Sequence, residues 1–151
     1  MMHFMRATTT AFSMAGVFVI ALHSASHVAP QHIPGTAPAM HATITVKMIG
    51  DGKGYRFDPS TITAKVGDSI TFTNVMGGPH NVTFWADSTP AGTATALQAD
   101  MPKTTAPLTS PLFETDGEVW TMSTAKLKPG TYKFYCLPHL ALSMHGQLVV
   151  Q

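Results

Sequence analysis

The sequence predicts an all-β sandwich with a short helix or irregular insert around residues 86–112. Apolar and polar side chains alternate over short runs, the period at which successive residues face opposite sides of a strand. Those runs recur at close, regular spacing with Gly and Pro clusters between them, as in sheets built from many short strands. A chain of 151 residues suffices for one domain, which at that size hides about two thirds of its unfolded surface, so no second domain is needed.

The first 26 residues differ from the rest: Arg6 is their only acidic or basic side chain, and residues 11–22 (AFSMAGVFVIAL) form an apolar run of twelve. A membrane span wants about 20 apolar residues. A basic start, a short apolar core and the small residues Ser24, Ala25 and Ser26 read instead as a secretory signal, residues 1–26, cleaved after Ser26 with Ala29 as the alternative end point. The expected location is therefore extracytoplasmic, such as a periplasm, with no stable membrane insertion once the signal is gone. Residues 27–41 (HVAPQHIPGTAPAMH) carry Pro, Ala and His without an apolar period and read as a flexible lead-in. His27, His32 and His41 could chelate adventitious metal but read as solvated residues of that segment, given its composition.

The folded domain is expected over residues 42–151. Ile44, Val46 and Met48 alternate with Thr43, Thr45 and Lys47 in a half-buried strand that residues 50–54 (GDGKG) turn back. Residues 55–57 and 61–64 are short strands separated by Asp58, Pro59 and Ser60. Val66, Gly67 and Asp68 turn the chain into residues 69–74 (SITFTN), where Ile70 and Phe72 face inward. Residues 80–85 (HNVTFW) form a further strand. Within the insert, residues 94–101 (ATALQADM) make a short helix between Gly92 and Pro102, closing against one edge. Strand patterning resumes at 118–123, Lys128, Pro129 and Gly130 make a turn, and residues 131–136 (TYKFYC) and 146–151 complete the set. Trp85 and Trp120 are expected as core anchors.

Removing residues 1–26 takes Arg6 from nine basic side chains and leaves eight against eight acidic ones. A near-neutral protein has no electrostatic case for nucleic acid or an anionic membrane surface. One cysteine also excludes an intrachain disulfide, although an exported compartment would allow one. A lone thiol in an oxidising place needs a reason, and metal ligation supplies it.

Residues 136–144 (CLPHLALSM) place that cysteine, a histidine and a methionine on one short loop after a strand. Tyr132, Phe134 and Cys136 share a face, so the sulfur emerges from the packed interior. A buried free cysteine is most often a small hydrophobe, and a single methionine is most often core. It is the spacing of the three that argues for ligation. Pro138 stiffens the turn from Cys136 to His139 by fixing φ, and Met144 brings the loop back before the last strand. Soft sulfur suits Cu(I) and imidazole serves both oxidation states, so two His, one Cys and a weak axial Met describe an electron-transfer copper. The upstream histidine is expected at His80, beyond the tight Gly77-Gly78-Pro79 turn, with Asn81 hydrogen-bonding across to the Cys136 loop. His145, Met48, Met76 and Met122 read as neighbours or packing.

Pro79-His80-Asn81, residues 131–136, Pro138-His139 and Met144-His145-Gly146, together with Val66-Gly67-Asp68 and residues 128–132 (KPGTY), resemble plastocyanin and its small blue-copper relatives, the cupredoxins. The resemblance covers about residues 42–151. It implies a Greek-key β-sandwich with one type 1 copper ion held by His80, Cys136, His139 and, more weakly, Met144, and an electron carrier rather than an enzyme. Photosynthetic plastocyanins often carry acidic docking patches, whereas here the stretch after His80 offers Asp87 and Asp100 before a long neutral run, so photosynthesis is not implied. Leu140, Ala141 and Leu142 make the ligand loop apolar. His139 is expected at the surface among them as the electron's exit, open to protonation, and monomeric docking to redox protein partners is expected to be transient.

The alternative function is copper binding and handling without an electron-shuttle role, which would use the same ligands. A multicopper enzyme is disfavoured by the single module and the lack of further His-x-His clusters. Structural zinc sites prefer several cysteines or histidines and rarely recruit methionine.

Overall fold

The computed structural model describes residues 40–101 and 106–151; the expected signal and most of the expected lead-in lie outside the described residues. Among the described residues eight strands form in chain order: β1 (Thr43–Asp51), β2 (Gly54–Asp58), β3 (Thr61–Ala64), β4 (Ser69–Met76), β5 (Thr83–Phe84), β6 (Val119–Ser123), β7 (Gly130–Tyr135) and β8 (His145–Val150), with one α-helix, α1 (Ala94–Ala99), between β5 and β6. They build two four-stranded sheets, β2-β1-β4-β6 and β3-β8-β7-β5. Two neighbouring pairs, β1 with β4 and β3 with β8, run parallel. Parallel neighbours cannot be joined by a hairpin, so the chain must pass between sheets, and a Greek-key sandwich results.

Alternation decides which side of each strand is hidden. In β4, Ile70, Phe72 and Asn74 are buried while the residues between them are partly exposed, and β7 turns Tyr132 and Phe134 inward. Phe134 sits at the centre of the core. It meets Phe57 at 4.8 Å and 83° and Phe72 at 5.6 Å and 84°, edge-to-face pairs each worth roughly 0.5–1.5 kcal/mol beyond their buried area. The buried Tyr132 keeps its hydroxyl satisfied by donating to the Lys128 carbonyl at 2.8 Å, which ties β7 to the turn before it.

Three expectations need correction. Residues 80–85 do not form one strand: only Thr83 and Phe84 do, because the chain opposite is the irregular insert, which meets it through single bridges, His80 to Phe113 and Thr83 to Thr109. The helix ends at Ala99, and Asp100 leaves it to accept from the Ser123 amide at 2.9 Å. Trp85 is not a core anchor; it is half-buried and packs on Tyr135 at 4.5 Å on the outer side of β7. Trp120 is also half-buried but does stack against the core, on Phe72 at 5.7 Å. Among the described residues no helix is long and apolar enough to cross a membrane.

Candidate metal centre

The chain reaches one end of the sandwich twice. After β4, the turn through Gly77, Gly78 and Pro79 delivers His80 to a fully buried position. Gly77 has φ +79°, and a Cβ there would run into the Gly50 backbone, so only glycine suits a turn pressed this closely on β1. Reciprocal backbone hydrogen bonds between His80 and Phe113, 3.0 and 2.8 Å, hold the histidine from the other side. Asn74, itself buried, donates to the Thr115 carbonyl at 3.0 Å and so steadies the strand of chain on which Phe113 sits.

The second approach is the β7–β8 loop. Its two ends bond to each other, Cys136 N–H to the Met144 carbonyl at 3.0 Å, and His139 binds both ends, donating to the Cys136 carbonyl at 3.2 Å and accepting from the Met144 amide at 3.2 Å. A short 3-10 turn at Leu140–Leu142 follows His139, and Ser143, with φ 61°, reverses the chain so that Met144 returns to the interior. Cys136 and Met144 are fully buried. The expected cross-link between the two approaches is present: the Leu137 amide donates to Asn81 Oδ1 at 2.7 Å.

These two segments bring three donors together. Cys136 Sγ lies 3.7 Å from His80 Nδ1 and 3.4 Å from His139 Nδ1, and all three atoms fall within 4.8 Å of one another. A single ion with metal–nitrogen and metal–sulfur bonds of about 2.0 and 2.3 Å and a trigonal angle would set sulfur and nitrogen about 3.7 Å apart, so the spacing fits one shared ion without rearrangement. His80 is also set in the right tautomer. Its Nε2–H donates to the Met76 carbonyl at 3.1 Å, which leaves the Nδ1 lone pair facing the sulfur, the usual arrangement for a ligating imidazole. That carbonyl is invisible to sequence reading, since a backbone oxygen has no residue-type signature.

Burial sets the protonation of all three. Desolvation lowers the pKa of His80, opposed by its bond to Met76 and by the charge of Asp116. His139 is lowered by desolvation and then by the charge of His80. Both imidazoles are thus kept neutral, the form that ligates a metal. Desolvation raises the Cys136 thiol, while the backbone N–H groups of Asn81 and His139 facing the sulfur pull it back down. The site therefore holds a thiol whose proton a binding cation would displace to solvent, with two dipoles already aimed at the resulting thiolate.

His139 corrects a further expectation. It is only 8 % exposed, and the ring of Tyr55 covers it in a stack with centroids 3.8 Å apart. It is neither a surface residue nor freely open to protonation. Around it the apolar side chains of Leu137, Leu140 and Leu142 are exposed, as are Met76 and Leu112. His145 faces solvent, and Met48 and Met122 lie in the core, as their sequence positions suggested.

Residues 42–151 match the family described as copper binding proteins, plastocyanin/azurin family. Among curated relatives, chloroplastic plastocyanin of Chlamydomonas reinhardtii is 36 % identical over 114 residues, spanning 75 % of this chain and 70 % of that protein. Plastocyanin A/B of Petroselinum crispum is 36 % identical over 105 residues, spanning 70 % of this chain and 97 % of that one. Among solved structures, oxidised plastocyanin from Dryopteris crassirhizoma superposes with a TM-score of 0.56 at 31 % identity, covering 71 % of this chain and 99 % of that one.

Proposed function

The chain belongs to the plastocyanin/azurin family of copper-binding proteins, and from that premise we propose that it is an exported one-electron carrier. His80, Cys136 and His139 would hold a single type 1 copper ion through Nδ1, Sγ and Nδ1, with Met144 as the weak fourth ligand. The observation that carries this reading is the approach of Cys136 Sγ to both imidazole nitrogens in a buried pocket. When bound, copper supplies a reversible store for one electron, with sulfur favouring the reduced ion and imidazole serving both states.

What the chain contributes is a cage that does not have to move. The β7–β8 loop is bonded end to end, its amide at Leu137 is fastened to Asn81, and His80 is pinned by Met76 and Phe113. A donor set held in one place serves both oxidation states with little rearrangement. The peptide of Cys136 runs directly into β7, which gives a covalent route from the sulfur into the sheet.

Exposed Leu137, Leu140 and Leu142, with Met76 and Leu112, support transient docking of redox protein partners at this end, since small apolar interfaces release quickly. Electron-transfer rates should then change little with ionic strength; a fall of orders of magnitude on adding salt would mark charge steering instead. Residues 1–26 would act as the export signal, residues 27–41 as a lead-in, and the mature protein as a monomer in an extracytoplasmic compartment.

The test is the visible spectrum of the chain with copper added. An intense band absorbing orange light and a reversible one-electron reduction are expected, and Cys136→Ser should abolish the colour. A colourless, redox-silent complex would favour copper handling over electron transfer.

A further inference from the structure

Tyr55 lies on β2, remote in sequence from both ligand-bearing segments, yet its ring touches the imidazoles of both. It stacks on His139 at 3.8 Å and 17° between planes, and it meets His80 edge-on at 6.1 Å and 68°. Space for it comes from Gly50, its antiparallel partner on β1. A Cβ at residue 50 would fall 2.5 Å from Tyr55 Cε1 and 2.7 Å from Cδ1, so the missing side chain is what allows the ring to fold across β1 toward the ligand loop, as aromatic residues do over cross-strand glycines.

The two imidazoles are secured differently. His80 has the Met76 carbonyl on its far nitrogen and two backbone bonds to Phe113. His139 sits at the head of a 3-10 turn with a backbone of φ −115° and ψ 20°, and the flat contact on its ring is Tyr55. Stacked aromatic pairs resist rotation of either ring and exclude water from the covered face.

We propose that Tyr55 is a positioning residue for His139: its ring is a roof that fixes the plane of the imidazole with Nδ1 toward Cys136 and keeps water off it. This rests on the reading of His139 as a copper ligand, but it also makes a claim about the metal-free chain.

The experiment compares Tyr55→Phe, Tyr55→Leu and Gly50→Ala in the full chain, each checked for fold by circular dichroism. In the metal-free chain, the His139 ring protons should lose their ring-current displacement and broaden in Tyr55→Leu and remain as in the parent in Tyr55→Phe. In the copper-loaded chain, passage of Cu(I) to an excess of chelator should accelerate roughly three- to tenfold in Tyr55→Leu, the range expected for one stacked pair, with Tyr55→Phe within about twofold of the parent. Gly50→Ala should act in the same direction as Tyr55→Leu, since its added Cβ would press on the Tyr55 ring and also, at 3.1 Å, on the Gly77 carbonyl. Parent-like ring signals and release rate in Tyr55→Leu would overturn the proposal. If the parent chain fails to bind copper at all, the functional reading fails, while the metal-free ring signals still decide whether Tyr55 orders the imidazole.

Discussion

Asn81→Ala should loosen the centre without touching a ligand. Asn81 is 5 % exposed, and its Oδ1 accepts from the Leu137 amide at 2.7 Å. Removing it deletes a hydrogen bond worth about 1 kcal/mol and leaves a donor short of a partner, at about 1–3 kcal/mol when burial is complete. Leu137 itself is half exposed, so water relieves part of that, and a total near 2 kcal/mol is expected. For the 110 residues from 42 to 151, an unfolding entropy of about 2.1 cal/mol/K per residue converts each kcal/mol into about 4 °C. The metal-free variant should therefore melt about 8 °C lower by circular dichroism and show a lower urea midpoint at unchanged slope. Copper affinity should weaken roughly 10-fold or more, as when the outer partner of a metal ligand is lost. A melting point within 1–2 °C of the parent, about 0.5 kcal/mol or less by the same conversion, would refute the idea that this one bond joins the two ligand-bearing segments.

Burial depresses the pKa of both His80 and His139, so the unfolded chain binds more protons than the folded one just below the ordinary histidine value. Stability of the metal-free protein should be full above about pH 6.5 and fall as pH drops toward the depressed folded values; a urea midpoint flat from pH 7 to about 5 would contradict this. Because the Cys136 thiol is raised by burial, apparent copper affinity should strengthen with pH across the neutral range, measured by chelator competition. Met144→Gln should retain copper and its colour while shifting the reduction potential, read by voltammetry. Gly77→Ala, at φ +79° and against the Gly50 backbone, should cost at least about 1–2 kcal/mol, whereas Gly52→Ala, with open space around it, should leave the urea midpoint nearly unchanged.

The spacing of Cys136, His139 and Met144 was legible because all three lie on one loop, and His80 because a Gly-Gly-Pro turn delivers it. Strand alternation marked β1, β4 and β7 for the same reason that it forms them: one side of each is hidden. What sequence order concealed are contacts across it. Tyr55 reads as an ordinary strand residue, and nothing local says that its ring spans Gly50 to cover His139, which is why that histidine was expected at the surface. The pairing of His80 with Phe113 was likewise hidden, since an irregular insert has no period to betray its partners, and the same pairing cut the expected strand at 80–85 to two residues.

Both parallel pairings, β1 with β4 and β3 with β8, require distant segments to meet before either sheet is whole, and topologies of this kind assemble slowly. The cysteine, fully buried in the folded chain, precedes β8, so its thiol would stay accessible until the closing strand docks. Were the compartment oxidising, that interval would be the protein's chemical weak point, open to sulfenic acid or a mixed disulfide. Whichever came first, metal or the completed wall, would end the exposure, and maturation there would be a race between oxidant and assembly.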